Sequence, residues 1–144
     1  MSRIDSLSPR SGLIVRSEKG VDPSVRQSCL NFAAWLRVNM KFPIRVVIYL
    51  KKDYQIKNRF SKELVSATFF APYDKKEEPY IRIATGDYED LVEDRGEVDA
   101  LWAILGSVAH EIIHYQQWLD DRALDETEAE NMGETLLDDF SDSL

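Results

Sequence analysis

The stretch VDALWAILGSVAHEIIHYQQWL, residues 98–119, contains the strongest structural signal in this 144-residue chain. Its apolar residues recur at helical spacing and form one broad face, which predicts a long helix packed against a core. That face is formed by Leu101, Trp102, Leu105, Val108, Ala109, Ile112 and Ile113. The only two histidines of the chain, His110 and His114, lie in the apolar part of this helix, and Glu111 follows the first of them.

The segments on either side of this helix predict an α+β fold. Asp22 and Pro23 mark the start of an N-terminal helix over residues 23–39. β-Branched and aromatic residues predict three strands, over residues 44–50, 65–71 and 80–85. The acidic residues 88–97 are expected to form a loop or the lead-in to the long helix, and residues 126–140 a C-terminal helix that carries several glutamates. Because the second and third strands are joined by a short connection, we expect a small, three-stranded, mostly antiparallel sheet.

The length of the chain fits a single domain. Residues 1–20 contain serine, proline and glycine at no regular period and are expected to form a flexible N-terminal segment, in which residues 12–15 could add a short edge strand. Residues 21–144 are expected to form the one folded domain. With a single cysteine, Cys29, and no apolar run typical of a signal peptide or a membrane span, we expect a cytoplasmic protein that does not enter membranes.

The charge of the chain is unevenly distributed. Residues 1–82 contain 16 basic and 8 acidic residues, whereas residues 83–144 contain 2 basic and 18 acidic residues, and the formal net charge is −8. Proteins that bind duplex nucleic acids draw most of their affinity from contacts with phosphates, so this balance argues against a nucleic-acid partner. The acidic half can offer carboxylates to a cation, or it can simply solvate its outer face and attract the basic half.

His110, Glu111 and His114 form an H-E-x-x-H motif. Residues four positions apart lie above one another on a helix, so two imidazoles at this spacing can bind one zinc ion, each at about 2.0–2.1 Å. Glu111 projects beside the metal position, where its carboxylate can accept a proton from a water molecule activated by zinc. A competing interpretation places both histidines on a solvated helix face, but the apolar residues around them favour a metal site.

A catalytic zinc usually has three protein ligands, and no third histidine exists. Cys29 is expected to be a small buried residue of the N-terminal helix. The third ligand is therefore expected to be a carboxylate of the last helix, which offers Glu126, Glu128, Glu130 and Glu134. Glu126 and Glu130 share one face, so one can bind the metal while the other supports a ligand histidine through its second ring nitrogen. Two histidines and a carboxylate also suit iron, although the helical motif favours zinc.

His110-Glu111-x-x-His114 followed by Glu126-x-x-Ala129-Glu130 resembles the zincin metallopeptidases of the gluzincin type. The order of helices and strands is similar to that of their minimal, single-lobed members, the minigluzincins. The resemblance implies a zincin-like fold and a zinc-dependent hydrolase with a peptide or protein substrate. It also implies that His110, His114 and Glu126 bind one zinc ion and that Glu111 is the general base. Glu130 would contact a ligand residue without binding the metal itself.

The sequence departs from the family pattern at Glu130, where aspartate or asparagine is more usual. The short separation between His114 and Glu126 also leaves Glu130 and Glu134 as alternative third ligands. No histidine remains to stabilise the oxyanion of the reaction, so this role would fall to one of Tyr80, Tyr88, Tyr115 and Arg122.

Residues 81–85 are the candidate edge strand for an extended peptide substrate, and an ordinary core strand is the alternative for the same residues. Gln116 and Gln117 are expected to face solvent. Two other functions stay open. One is a catalytically inactive zincin-like module that binds metal or regulates a partner, and the other is a helical interaction domain in which the motif arises by chance.

Overall fold

The computed structural model describes residues 10–144 of the chain, in six strands and four helices. The strands are β1 (Leu13–Ser17), β2 (Val46–Lys51), β3 (Ile56–Lys57), β4 (Leu64–Val65), β5 (Ala67–Phe70) and β6 (Tyr80–Ala84). The helices are α1 (Pro23–Asn39), α2 (Tyr88–Arg95), α3 (Glu97–Leu119) and α4 (Glu126–Asp142). The three predicted helices are thus present as α1, α3 and α4. Within residues 10–144, no helix combines the length and apolar composition that crossing a bilayer requires.

The main sheet is mixed rather than mostly antiparallel, and it has four strands in the order β1-β2-β6-β5. β1 and β6 both run parallel to β2, whereas β5 runs antiparallel to β6 at the edge of the sheet. The antiparallel pair is the one that the short connection predicted. β1 and β2 are parallel because the chain between them passes through α1, and parallel strands require such a crossover. β3 and β4 form a separate two-stranded antiparallel hairpin.

The N-terminal segment contributes a strand to this sheet. Residues 1–9 of the segment expected to be flexible lie outside the described residues, but Leu13–Ser17 form β1, in register with β2 from Leu13 opposite Val46. Leu13 is buried, and its carbonyl oxygen accepts a hydrogen bond of 2.8 Å from Arg37 Nε on α1. The folded unit therefore includes residues on the N-terminal side of the boundary expected at residue 20.

A short helix, α2, occupies most of the segment that was expected to be a loop or lead-in. Its first residue, Tyr88, is buried. Its apolar residues, Tyr88, Leu91 and Val92, are too few to give a clear helical period in the sequence. Gly96 then turns the chain into α3 with a φ of 85°, a conformation that favours glycine.

α3 lies at the centre of the molecule, where it packs against the other three helices and against β5 and β6. Its buried face joins a core to which β6 contributes Ile81 and Ile83 and α1 contributes Phe32 and the buried Cys29. Near the end of α4, Phe140 packs against Phe32 with ring centroids 4.9 Å apart. This contact anchors the C-terminal end of α4, and packing between the two helices places the first turns of α4 beside the second half of α3.

Candidate metal centre

α3 presents His110, Glu111 and His114 in its middle turns. His114 and Glu111 are buried, with 3% and 7% of their surfaces exposed, and His110 is half-buried. The two imidazole rings pack edge to face with centroids 4.9 Å apart. The spacing of the motif therefore places both rings beside one another, as the helical geometry predicted.

The start of α4 carries Glu126 to the two histidines. Asp125 caps this helix by accepting a hydrogen bond of 2.9 Å from the backbone nitrogen of Glu128, and Glu126 is the first helical residue. The Glu126 carboxylate oxygens lie 2.9 Å from His110 Nε2 and 2.8 Å from His114 Nε2. One ligand atom from each of the three residues lies within 4.8 Å of the others, so His110, His114 and Glu126 form a group that could hold a metal ion.

Each histidine also has a partner on its second ring nitrogen. Glu130 Oε2 lies 3.3 Å from His110 Nδ1, and Gln117 Oε1 lies 2.8 Å from His114 Nδ1. Partners of this kind orient ligand rings and decide which nitrogen carries the proton. The prediction that Gln117 faces solvent is wrong, because the residue is fully buried. Its position three residues after His114, on the same side of the helix, is the signal in the sequence that could have identified it.

Two neutral imidazoles have too few N–H groups for the four acceptor oxygens that face their nitrogens. A neutral imidazole donates through only one nitrogen. Both nitrogens of His110 face carboxylate oxygens, while His114 uses Nδ1 for Gln117 and faces Glu126 with Nε2. Positive charge is therefore needed between the Nε2 atoms and Glu126, either as added protons or as a cation. A divalent metal ion would satisfy all three groups together, so the donor set fits a metal.

Glu111 and Glu126 have opposite pKa shifts. Burial raises the pKa of Glu111 to about 7, although the charges of the two histidines act in the other direction, and its carboxylate lies 4.0 Å from His110 Nε2. Burial also raises the pKa of Glu126, but hydrogen bonds and charge from His110 and His114 outweigh it and lower the pKa overall. Glu126 is thus kept ionised as a metal ligand must be, and Glu111 is suited to exchange a proton near neutral pH.

Two cavities open beside the motif, and His110 and Glu111 line both. One, of about 400 Å³, lies between β5 and the metal group. The other, of about 550 Å³, lies between α3 and α4. β5 is the edge strand here, and its residues Ala67, Thr68 and Phe69 line the smaller cavity. The prediction that residues 81–85 form the exposed edge is wrong, because β6 pairs with β2 on one side and with β5 on the other.

The four predicted oxyanion donors line neither of these cavities. Tyr115 is fully buried, and its hydroxyl donates to a backbone carbonyl before β2. Arg122 forms an ion pair with a glutamate of α4. Tyr80 stacks on a phenylalanine of β5, and Tyr88 is buried in the core. The structure therefore does not bring these side chains to the motif.

The other acidic candidates of α4 lie in different places around the site. Glu130 lies on the Nδ1 side of His110 rather than beside its Nε2. Glu134 lines the larger cavity. Glu128 pairs with Arg122 and accepts a hydrogen bond from Gln117. Glu126 is therefore the carboxylate that the fold places between the Nε2 atoms of both histidines.

Comparisons with known proteins identify no relative of the chain. A scan against protein-family profiles finds no match. Searches of curated proteins and of solved structures also find no significant match. The interpretation of the site therefore depends on the geometry of its own residues.

Proposed function

We propose that the chain is a small zinc-dependent metallopeptidase of the gluzincin type, which hydrolyses peptide bonds. The observation that carries this proposal is the position of Glu111, a buried carboxylate with a pKa of about 7 that lies 4.0 Å from a histidine of the His-His-Glu group. A proton acceptor of this kind beside a metal position is what metal-assisted hydrolysis requires.

His110, His114 and Glu126 would hold one zinc ion, with Glu130 and Gln117 behind the two rings. When bound, zinc supplies Lewis acidity that activates a water molecule and polarises a carbonyl group. The same donor set suits iron, and the choice of zinc is favoured by the helical H-E-x-x-H arrangement.

Glu111 is the general base in this proposal. Its carboxylate accepts a proton from the attacking water and returns the proton to the leaving amine. Both steps use one side chain, which works best when its pKa lies close to the operating pH. Burial raises the pKa of Glu111 into that range.

The edge strand β5 supports an extended peptide as the substrate. The Ser66 carbonyl accepts a hydrogen bond of 2.8 Å from the backbone nitrogen of Ala84, so the alternation of an antiparallel pair directs the backbone polar groups of Ala67 and Phe69 away from β6. That side of β5 borders the cavity that contains the metal group. A peptide added to this edge would run past Glu111.

The test is hydrolysis of a peptide library by the zinc-loaded protein and by its Glu111→Gln variant. We expect the wild type to cleave, and the variant to keep its zinc but lose about 10²–10⁴-fold of the rate, because this is what general-base catalysis typically contributes. If the zinc-loaded wild type cleaves no peptide, or if the variant is equally active, the peptidase assignment fails. Metal analysis of the same samples distinguishes zinc from iron.

A catalytically inactive zincin-like metal-binding or regulatory module is the second candidate function. It is favoured by the observation that none of Tyr80, Tyr88, Tyr115 and Arg122 lines the cavities at the motif. A missing oxyanion donor costs about 10²–10³-fold in turnover. One zinc ion per chain without measurable hydrolysis would support this function over the first.

A further inference from the structure

A buried carboxamide joins the two helices behind the metal group. Gln117 on α3 is fully buried and hydrogen-bonds to His114, to Glu128 and to both backbone polar groups of Asp125. We propose that Gln117 is the positioning residue of this centre, because it fixes the tautomer of His114 and the place of Glu126 relative to that ring. The proposal rests on the metal site of the proposed function and adds a residue that acts through the ligands.

The neighbours of the Gln117 carboxamide determine its orientation. Its Nε2 lies 2.9 Å from Glu128 Oε1 and 3.1 Å from the carbonyl oxygen of Asp125, and both of these atoms are acceptors. Its Oε1 lies 3.1 Å from the backbone nitrogen of Asp125, which is a donor. A flipped amide would turn its nitrogen toward a donor and its oxygen toward two acceptors, and would lose these hydrogen bonds. Oε1 is therefore the atom that faces His114.

This orientation decides which nitrogen of His114 carries the proton. An amide oxygen only accepts, so the contact of 2.8 Å between Gln117 Oε1 and His114 Nδ1 requires an N–H at Nδ1. In a neutral ring, Nε2 then keeps a free lone pair. That nitrogen lies 2.8 Å from Glu126 Oε1. The neutral ring therefore presents this lone pair, rather than an N–H, to the metal position.

The same carboxamide holds the start of α4. The backbone nitrogen of Asp125 donates to Gln117 Oε1, and the Asp125 carbonyl accepts from Gln117 Nε2. Glu126 follows Asp125 directly, so its backbone is placed relative to His114 through one buried side chain. Hydrogen bonds to both polar atoms of the carboxamide offset the cost of burying it. Gln117 thus links two of the three ligands.

Two substitutions distinguish control of the His114 tautomer from simple stabilisation of the connection between α3 and α4. In Gln117→Glu, the carboxylate can still accept from His114 Nδ1 and from the Asp125 backbone nitrogen, but it cannot donate to the Asp125 carbonyl or to Glu128. In Gln117→Met, the side chain has a similar length and makes none of these hydrogen bonds. If Gln117 only stabilised the connection between α3 and α4, the tautomer of His114 would be unchanged in both variants.

The experiment is ¹H–¹⁵N NMR of the histidine rings in the metal-free, full-length protein. The chain has only two histidines, so the spectrum contains two rings. Spectra are recorded at increasing pH, and the tautomer of His114 is read from the spectra in which its ring is neutral. We expect His114 to show a protonated Nδ1 and an unprotonated Nε2 in the wild type and in Gln117→Glu. We expect Gln117→Met to give a mixture of tautomers.

Zinc affinity, measured by competition with a chelator, is the second measurement. We expect Gln117→Met to bind zinc about 10–100-fold more weakly than the wild type, as is typical when a partner of a ligand histidine is removed. Gln116→Met is the matched control, because Gln116 is a half-buried glutamine in the same turn of α3. It should keep both the wild-type tautomer and the wild-type affinity.

A neutral His114 ring that carries its proton on Nε2 in the wild type would overturn the proposal, as would a Gln117→Met variant with the wild-type tautomer and zinc affinity. The first result needs only the wild-type protein, so it stands even if Gln117→Met does not fold. A wild type with the expected tautomer that binds no metal would instead refute the proposed function. The two failures are therefore distinguishable.

Discussion

Gly133 on α4 lies directly against the backbone of His110 on α3: a Cβ atom at Gly133 would be 3.2 Å from the nitrogen and 3.3 Å from the Cα of His110. The two helices therefore approach more closely at this point than a residue with a Cβ atom would fit without a small shift. Glu126 and Glu130 precede Gly133 by seven and three residues, so all three lie on the same face of α4. The close approach brings both carboxylates to His110.

Gly133→Ala should push α4 away from α3 and weaken zinc binding. The atoms that the new methyl group meets belong to the backbone of Ala109 and His110, which cannot rotate away as a flexible side chain could. A shift of α4 would draw Glu126 and Glu130 back from the ring. We expect roughly tenfold weaker zinc binding, at the lower end of what loss of a supporting contact costs, measured by competition with a chelator.

Gly106→Ala is the control for this substitution, because a Cβ at Gly106 would meet Leu137 Cδ2 at 3.9 Å, an ordinary contact. Alanine is otherwise favoured over glycine inside a helix by about 0.5–1 kcal/mol. Gly106→Ala should therefore raise the Tm and keep the zinc affinity. Equal zinc affinities of the two alanine variants would contradict this explanation of the close approach.

The glutamates of α4 should differ in their effect on zinc binding. Glu126→Gln should cause the largest loss, because this carboxylate lies between the Nε2 atoms of both histidines. Glu130→Gln should cost less, up to about 10–100-fold, since Glu130 supports His110 from behind. Glu134→Gln should have little effect. Titration calorimetry with zinc measures all three, and an equal or reversed order would reject Glu126 as the ligand.

Glu111 should make the stability of the metal-free protein depend on pH. Burial raises its pKa from 4.5 to about 7, so the folded state favours the protonated carboxyl. The resulting stabilisation is fully present below pH 4.5, and it is lost as the pH rises through about 7. It corresponds to roughly 3 kcal/mol in the free energy of unfolding.

Urea unfolding of the wild type and of Glu111→Gln over this pH range measures the effect. The difference in unfolding free energy between the two proteins should change with pH, because glutamine does not titrate. The groups shared by both proteins cancel in this difference. A difference that stays constant from pH 4.5 to pH 7 would show that Glu111 has an ordinary pKa.

Ala67→Pro should raise the KM for peptide hydrolysis. The N–H of Ala67 points away from β6, so proline removes a hydrogen-bond donor to an added peptide strand without removing a bond within the sheet. Thr68→Pro is the contrasting variant, because the alternation places the N–H of Thr68 on the β6 side, and its loss should lower the Tm. An Ala67→Pro protein with the wild-type KM would count against β5 as the substrate strand.

The helices α1, α3 and α4 could be predicted because their signals are local. Asp22 caps α1 by accepting a hydrogen bond of 2.8 Å from the Ser24 backbone nitrogen, and the apolar period of α3 continues to the end of the helix. Strand direction could not be predicted in the same way. Whether β2 pairs with β1 in parallel depends on the crossover through α1, which no short window of sequence contains.

The ligand histidines of the site could be predicted from the sequence, but the buried Gln117 could not. His110 and His114 converge because they share one helix, and their spacing alone places them together. Gln117 was missed because it is polar, and polar residues on a helix are mostly exposed. Its burial depends on Asp125 and Glu128, which reach it from the start of another helix.

We propose that His110, His114 and Glu126 bind one divalent ion, and the zinc content of stripped and reconstituted protein, measured by plasma mass spectrometry, tests this binding. We expect one zinc ion per chain in the wild type and in Glu111→Gln, and none in His114→Ala. A wild type without zinc, or a His114→Ala variant that retains it, would contradict the claim.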